Sequence, residues 1–481
     1  MELTVGLVLF LIVSLAAVIV IRALLFRPLP EAASAGQRPV LDEEKIVSDM
    51  VEMVRCKTIS DRDETKIDKS EFEKFRGLLK ERFPLIHKNC SLELIGKTGL
   101  LYQWKGESPS RPVVLMAHYD VVPADEKSWE KPAFEGIIEN CEIWGRGTLD
   151  TKSTLCGIME AAEHLLKQGF VPKHDIYLSF SGEEEIDGDT CADIVTELDK
   201  RGIKPAMVLD EGGAIVEKVF PGVSRPCALV GIAEKGSVNI EFTMQSRGGH
   251  SSTPPRHTIA GRLAKAMVEL ERHPFRFQLT KPVREMFDAL GRHSGFGLRI
   301  IFANLWFFMP VLRLVSKISG NEMYALMHST CAVTKMEGSS AFNVLPPKAS
   351  FGINLRLLGS DNMDSVKERL KRIIRNDDVQ IKVMTGMNPS RCSDTDCDEW
   401  FTLKKVIRGL WPDVVVSPYL MLGCSDSRHY CRISDKVYRF SPMMLSKNQR
   451  DMIHGHNERI PVDTLIKTVE FYVNLILELQ N

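Results

Sequence analysis

The chain has 481 residues, 44 % of them apolar and 26 % charged, with a formal net charge of -1. This is ordinary globular composition, long enough for two domains with a full core, and its balanced charge gives no electrostatic reason to expect nucleic acid as a partner. The 11 cysteines include no Cys-x-x-Cys pair, so neither a zinc finger nor a disulfide framework is indicated, and they read as reduced, buried small hydrophobes.

At the N-terminus residues 5–21 are unbroken apolar, and after Arg22 the segment ALLF carries the run to Phe26. This approaches the ~20 residues that cross a bilayer. A cleaved signal peptide competes, with Ala33-Ser34-Ala35 as its cleavage site, but no basic segment precedes the run and the run is long for one. Residues 1–27 are therefore read as a retained single-pass membrane anchor and 28–40 as a Pro/Ala/Gly-bearing linker. Arg22 and Arg27 on the C-terminal flank, with the unpaired cysteines, favour a cytoplasmic catalytic part. The sequon Asn89-Cys90-Ser91 points the other way.

From residue 41 helix and strand patterns alternate, the signature of a parallel α/β sheet. VVLMAH, DIYLSFS and AMVLD read as short apolar strands, and each runs into a His, Glu or Asp. In open α/β sheets the active crevice lies beyond the carboxyl ends of the strands. His118 and Asp120 follow the first strand; side chains two apart on a strand point the same way, so the carboxylate can hold the imidazole as it does for a metal-ligating histidine. WGRGTLDTKS then sets Asp150 in a Gly-flanked turn, where a helix N-cap is the plainer account. Leu155, Ile158, Met159, Ala162, Leu165 and Leu166 recur at helical spacing until Gly169 stops the helix, and Glu160 and His164 on it read as solvated. Glu183-Glu184-Glu185 ends the second strand, and Asp210-Glu211-Gly212-Gly213 ends the third.

Near residue 236 the pattern changes. SVNIEFTMQS and SFGINLRLL alternate as half-buried antiparallel strands do, each is followed by an amphipathic helix (257–271 and 363–375), and VQIKVMT reads as a closing strand. A β-α-β-β-α-β module over 236–386, inserted in a parent domain of 41–235 and 387–481, is the economical account. The parent domain supplies His454 and His456 in IHGHNERIP and ends in a helix over 462–479. Two histidines and several carboxylates gathered at strand ends suit zinc, with cobalt or manganese as alternatives.

In order, His-x-Asp, Gly-Arg-Gly-x-x-Asp-x-Lys, Glu-Glu after a strand, Asp-Glu-Gly, Gly-Gly-His-Ser-Ser-x-Pro and His-Gly-x-Asn-Glu resemble the pattern of the dizinc aminoacylase and carboxypeptidase family. Within it the chain is most similar to the branch of carboxypeptidase S and the N-fatty-acyl-amino acid synthase/hydrolase. The likeness covers everything from about residue 41 onward. It implies an α/β fold, a mostly parallel-sheet dizinc exopeptidase domain carrying an inserted ferredoxin-like lid and dimerisation domain. It also implies two Zn2+ ions bridged by Asp150, with His118 and Glu211 on one and Glu185 and His454 on the other. Glu184 is then the general base, and Asp120 orients His118. Matching Ile186 and Gly188 selects this register of the acidic run; Asp210 stands as an alternative to Glu211, and Gly455 with Asn457-Glu458 favours His454 over His456. The resemblance further implies that His250 in RGGHSSTPP serves the oxyanion, and that Asn343, Arg356 and Arg428 hold a substrate carboxylate. Each of these four also reads as an ordinary turn or paired polar residue.

The implied activity is hydrolysis of an amide in a peptide or N-acyl amino acid with a free carboxylate, by an enzyme that dimerises through its lid. A biosynthetic deacetylase or desuccinylase is an alternative, although a membrane anchor is hard to motivate for a soluble metabolite. A catalytically silent binding protein is another, but no ligand or base is missing. The segment FGLRIIFANLWFFMPVLRLV, from Phe296, reads mainly as the core of an enlarged lid, with a remainder expected to line an acyl-chain channel near the membrane surface.

Overall fold

The computed structural model describes residues 2–29, 36, 38–218, 220, 222–318 and 321–480. Much of the linker, with Ala33-Ser34-Ala35, lies outside the described residues. The chain begins with α1 (Glu2–Leu25), whose apolar run is long enough by length and composition to cross a membrane. The hairpin β1 (Ser91–Ile95) and β2 (Gly99–Trp104) leads into β3 (Ser108–His118), buried over its last seven residues. Then follow α2 (Lys152–Lys167), β4 (His174–Ser181), β5 (Met207–Asp210), β6 (Ile215–Val216) and β7 (Cys227–Glu234).

Next in the chain come β8 (Gly236–Gln245), α3 (Ile259–Arg272), α4 (Lys281–Arg292), α5 (Phe296–Ala303), α6 (Leu305–Ile318), β9 (Thr330–Glu337), β10 (Lys348–Leu357), α7 (Met363–Ile374) and β11 (Gln380–Met387), of which the four strands with α3 and α7 make a second unit. The first unit resumes with β12 (Val415–Met421), β13 (Val437–Arg439), β14 (Met444–Leu445) and α8 (Val462–Leu479).

The large sheet runs β1-β2-β4-β3-β5-β13-β7-β6-β14, with β12 on β7. It is mixed: β4, β3, β5 and β13 pair in parallel, while β1, β2 and β4, and β13, β7 and β6, pair antiparallel. The parallel centre is what builds the site. His118 lies opposite Ser181 and Leu115 opposite Leu209, so the ends of β3, β4 and β5 open on one edge. α2 and α8 pack on each other at very close range. A Cβ at Gly157 would come within 2.6 Å of Thr468 Cγ2, so only glycine permits this contact.

The smaller sheet is antiparallel, in the order β9-β10-β8-β11. Its core joins Val238, Ile240, Phe242, Phe351, Ile353 and Leu355 to apolar residues of α3 and α7, and the Phe242 and Phe351 rings stack at 4.5 Å. Truncating either ring to alanine would cost about 3–5 kcal/mol. Helices α4 to α6 depart from the reading of their segment as lid core. Val283, Met286, Phe287, Leu290 and Leu312 join the core of the first unit. The reason is physical: α3 and α7 already cover the apolar face of the small sheet, and its other face carries Asn239, Glu241, Asn354 and Arg356, which offer nothing apolar to bury against.

Candidate metal centre

The apolar residues Val113 to Ala117 hold β3 in the sheet and deliver His118, 2 % exposed, to its carboxyl edge. The His118 Nδ1 lies 3.1 Å from Asp120 O and 3.3 Å from Asp120 Oδ1, which leaves Nε2 to face Asp150 Oδ1 at 3.0 Å. Asp120 does more than hold the imidazole. It accepts from Ser60 Oγ at 2.7 Å and from the backbone N–H groups of Glu184 at 3.2 Å and Glu185 at 3.1 Å. One buried carboxylate thus fixes the histidine and the acidic turn together.

The three adjacent acids divide. Glu183 turns inward to accept from Thr190 Oγ1, at the start of the next helix, while Glu184 and Glu185 face the cluster. Glu184 Oε2 is 3.9 Å from His118 Nε2, and Glu185 Oε2 is 3.0 Å from His454 Nε2. His454 Nε2 also lies 3.0 Å from Asp150 Oδ2, so Asp150 offers one oxygen to each histidine. His118, Asp150 and Glu185 bring ligand atoms within 4.8 Å of one another. A divalent cation is what such a set of imidazole nitrogens and carboxylate oxygens holds.

The electrostatics favour positive charge at the cluster. Burial pushes Glu184 and Glu211 well above the usual carboxylate range, and neighbouring acids raise them further: Asp426, Glu211 and Glu185 around Glu184, Asp150 and Asp210 around Glu211. Burial alone would lower His118, but its bonds to Asp120 and Asp150 raise it well above an ordinary imidazole. Bonds to Asp150 and Glu185 carry His454 up to about 10. Desolvation alone would raise Asp150, yet the two histidines hold it below the usual range. Without metal, the histidine protons supply the cations that the carboxylates require.

Residues 114–478 match the family described as Peptidase family M20/M25/M40. The chain belongs to this family. It is 36 % identical over 444 residues to "Probable carboxypeptidase S-like 2" of Dictyostelium discoideum, covering 91 % of this chain and 85 % of that one. It is 35 % identical over 442 residues to "N-fatty-acyl-amino acid synthase/hydrolase PM20D1" of Xenopus tropicalis, covering 90 % and 86 %. Among solved structures, the M20 family metallo-carboxypeptidase Sso-CP2 from Sulfolobus solfataricus shares the fold with a TM-score of 0.68 at 19 % identity, covering 90 % of this chain and 98 % of that one. The chain is therefore an M20 metallopeptidase-family hydrolase.

Around the M20 cluster, the other residues singled out in the sequence lie at graded distances. Asp210 is buried and accepts from Ser427 N at 3.0 Å, whereas Glu211, next along, feels Asp150 as its strongest charged neighbour. Arg428 Nε donates to Ser425 O at 2.7 Å and its Nη2 lies 3.8 Å from Asp187 Oδ1; Glu184 contributes to holding its charge. Arg356 Nη1 reaches Cys424 Sγ at 3.3 Å, at the junction of the two units. His250 and Asn343 are exposed and share a loop pair, with Ser251 N donating to Asn343 O at 3.1 Å. Ser252 N donates to His250 Nδ1 at 3.1 Å, which leaves the Nε2 proton of the neutral ring free to be given. Among the described residues no hydrogen bond or ion pair joins His250 to the cluster. His456 is exposed.

Two residues of the site carried no sequence signal of their role. Glu458 is buried and accepts from Gly147 N at 3.0 Å, Leu149 N at 2.7 Å and Asp150 N at 3.1 Å, with Arg146 Nη1 at 2.7 Å. It grips the loop that presents Asp150. Asp426 accepts from Ser181 Oγ beside Glu184, and burial pushes it up to about 7.

Proposed function

We propose that the chain is a membrane-tethered dizinc amidohydrolase that cleaves N-acyl amino acids, or peptides with a free carboxylate. The observation that carries the reading is the convergence of His118, Asp150, Glu185 and His454 beside a half-buried Glu184. Asp150 would bridge two ions, with His118 and Glu211 on one and Glu185 and His454 on the other. Bound there, divalent metal would supply Lewis-acid polarisation of the amide carbonyl and acidify water at the bridge.

The chain's own residues would divide the remaining work. Glu184 takes a proton from the attacking water and returns it to the leaving amine, a task suited to a carboxylate that burial holds above the usual range. Asp120 keeps His118 oriented. His250 gives its Nε2 proton as a hydrogen bond to the oxyanion, from the lid of this chain or of a dimer partner. The guanidinium groups of Arg428 and Arg356, with Asn343, hold the substrate carboxylate.

The substrate's acyl group has an apolar place to go. A cavity of about 490 Å3 is lined by Phe287, Leu298, Ile301, Phe302, Leu312 and Tyr419, among others. Tyr419 and Met421 stand on the same face of β12, and Met421 packs on Gly212, the neighbour of Glu211. This supports a preference for long apolar acyl chains. The test is metal content together with turnover of dipeptides and of acetyl to long-chain acyl amino acids. About two metal ions per chain and turnover of long-chain acyl substrates are expected. Turnover of dipeptides alone would reject the acyl specificity, and full activity after metal removal would reject the mechanism.

A further inference from the structure

Helices α5 and α6 form a pair bent by 107°, and α6 is apolar on the wrong side. Leu312 and Ser316 face the body, while Trp306, Phe307, Val311, Leu314, Val315 and Ile318 face away, with Trp306 57 %, Leu314 60 % and Ile318 74 % exposed. Their spacing of three and four residues makes one continuous stripe. Trp104, Trp129, Trp144, Trp400 and Trp411 are all buried, so Trp306 stands apart from the other five tryptophans. A stripe of this kind marks a contact surface.

What covers it is indicated by α1. Arg22 Nε and Nη2 donate to Ala303 O, the end of α5, at 3.1 and 2.9 Å. Asn304, fully buried, donates to Ile19 O at 3.0 Å, and the Arg292 guanidinium lies over the Phe26 ring at 4.5 Å. The only basic residue within α1 thus caps the negative end of α5. The vertex of the bent pair sits level with residues 19–22 of α1, about 4–9 Å before the helix ends at Leu25, taking 1.5 Å per residue. The stripe of α6 therefore begins two residues from the contact of Asn304 with α1, near the depth at which a spanning α1 leaves the hydrocarbon.

We propose that α5 and α6 form a second membrane element, a hairpin lying in the leaflet at the C-terminal end of α1 with the α6 stripe among the acyl chains. This rests on the reading of α1 as an anchor. Interfacial helices of this type bury their apolar face about 5–10 Å deep, with tryptophan at the headgroup boundary. Arg313 beside the stripe lies over the Phe277 ring at 5.5 Å, and Lys317 is exposed to reach the headgroups. Val311 and Val315 belong both to the stripe and to the wall of the apolar cavity, so the cavity opens toward the leaflet.

The experiment uses the full chain reconstituted in phosphatidylcholine vesicles brominated along their acyl chains, comparing the protein with its Trp306→Phe variant. Flotation with the vesicles and a lipid-quenched emission component that Trp306→Phe removes are expected. Flotation with Trp306 quenched by aqueous iodide but not by bromolipid overturns the hairpin alone. Flotation with Trp306 shielded from both also overturns it, because a second copy of the chain would then cover the stripe. A chain that stays in solution overturns the anchor and the hairpin together.

Discussion

Asp150 reaches the cluster from a loop whose amides are gripped by the buried Glu458, whereas His250 projects from a short ladder with Val344 that is exposed to solvent. The first arrangement fixes ligand atoms through contacts more than 300 residues apart in sequence, such as the 308 between Asp150 and Glu458. The second fixes only a tautomer, through a bond to Ser252 two residues away. A rigid site and a movable donor are what a hydrolase needs if the cluster must be preorganised while substrate enters under a lid. The comparison can be broken at either end.

The largest effect is expected at the rigid end. Glu184→Gln keeps the size of the side chain but removes its proton-accepting charge, so kcat should fall by ~10²–10⁴-fold, the contribution of a general base. Metal content should be unchanged, because Glu184 is not among the proposed ligands. Steady-state kinetics beside metal analysis reads both, and near-normal kcat would move the base elsewhere.

At the movable end, His250→Ala should lower kcat by ~10²-fold or more with metal content unaffected. If the donor enters from a partner subunit, mixing His250→Ala with Glu184→Gln should restore activity once subunits exchange. Proven exchange without recovery would place His250 in its own chain's site.

Glu458→Gln separates gripping from ligation. It touches no proposed metal, yet it weakens the bonds that present Asp150, and metal affinity should fall by ~10–100-fold. A titration with zinc that gives the unaltered affinity would show that the loop holds itself.

The histidines add a pH dependence of known sign. In the metal-free protein Asp150 and Glu185 keep His454 protonated up to about 10, and only a neutral imidazole binds metal. Binding therefore releases a proton below that pH, and apparent affinity should rise by up to about tenfold per pH unit for each proton released. Affinity that does not change between acidic and mildly alkaline buffer would mean that His454 is not a ligand.

What was legible in the sequence follows the same division. His118, Asp150, Glu184 and Glu185, and Asp210-Glu211 could be found because each stands at the end of an apolar strand or beside glycines, so pattern and chemistry coincide. The two-residue period of β8 and β10 likewise gave the antiparallel unit. The grip of Glu458 and the part of Ser60 in holding Asp120 were invisible, since long-range hydrogen bonds leave no periodic trace. The segment from Phe296 was read as lid core for a related reason: its composition shows that it is apolar, but not that Leu312, Phe302 and Leu305 pack on the core of the first unit.

The smallest effect concerns that misplaced segment and bears on specificity. If the cavity behind α5 and α6 receives the acyl group, each buried CH₂ contributes roughly 0.8 kcal/mol, or about fourfold in kcat/KM. The rate should climb with chain length until the cavity is full. Leu298→Trp would fill part of that volume from the wall. The variant should match the unaltered protein on acetyl substrates and stop gaining at shorter chains, because overpacking acts only where the ligand must share the space. A chain-length profile of the same shape in both proteins would show that the acyl group lies elsewhere, and the cavity would then belong to the packing of the hairpin alone.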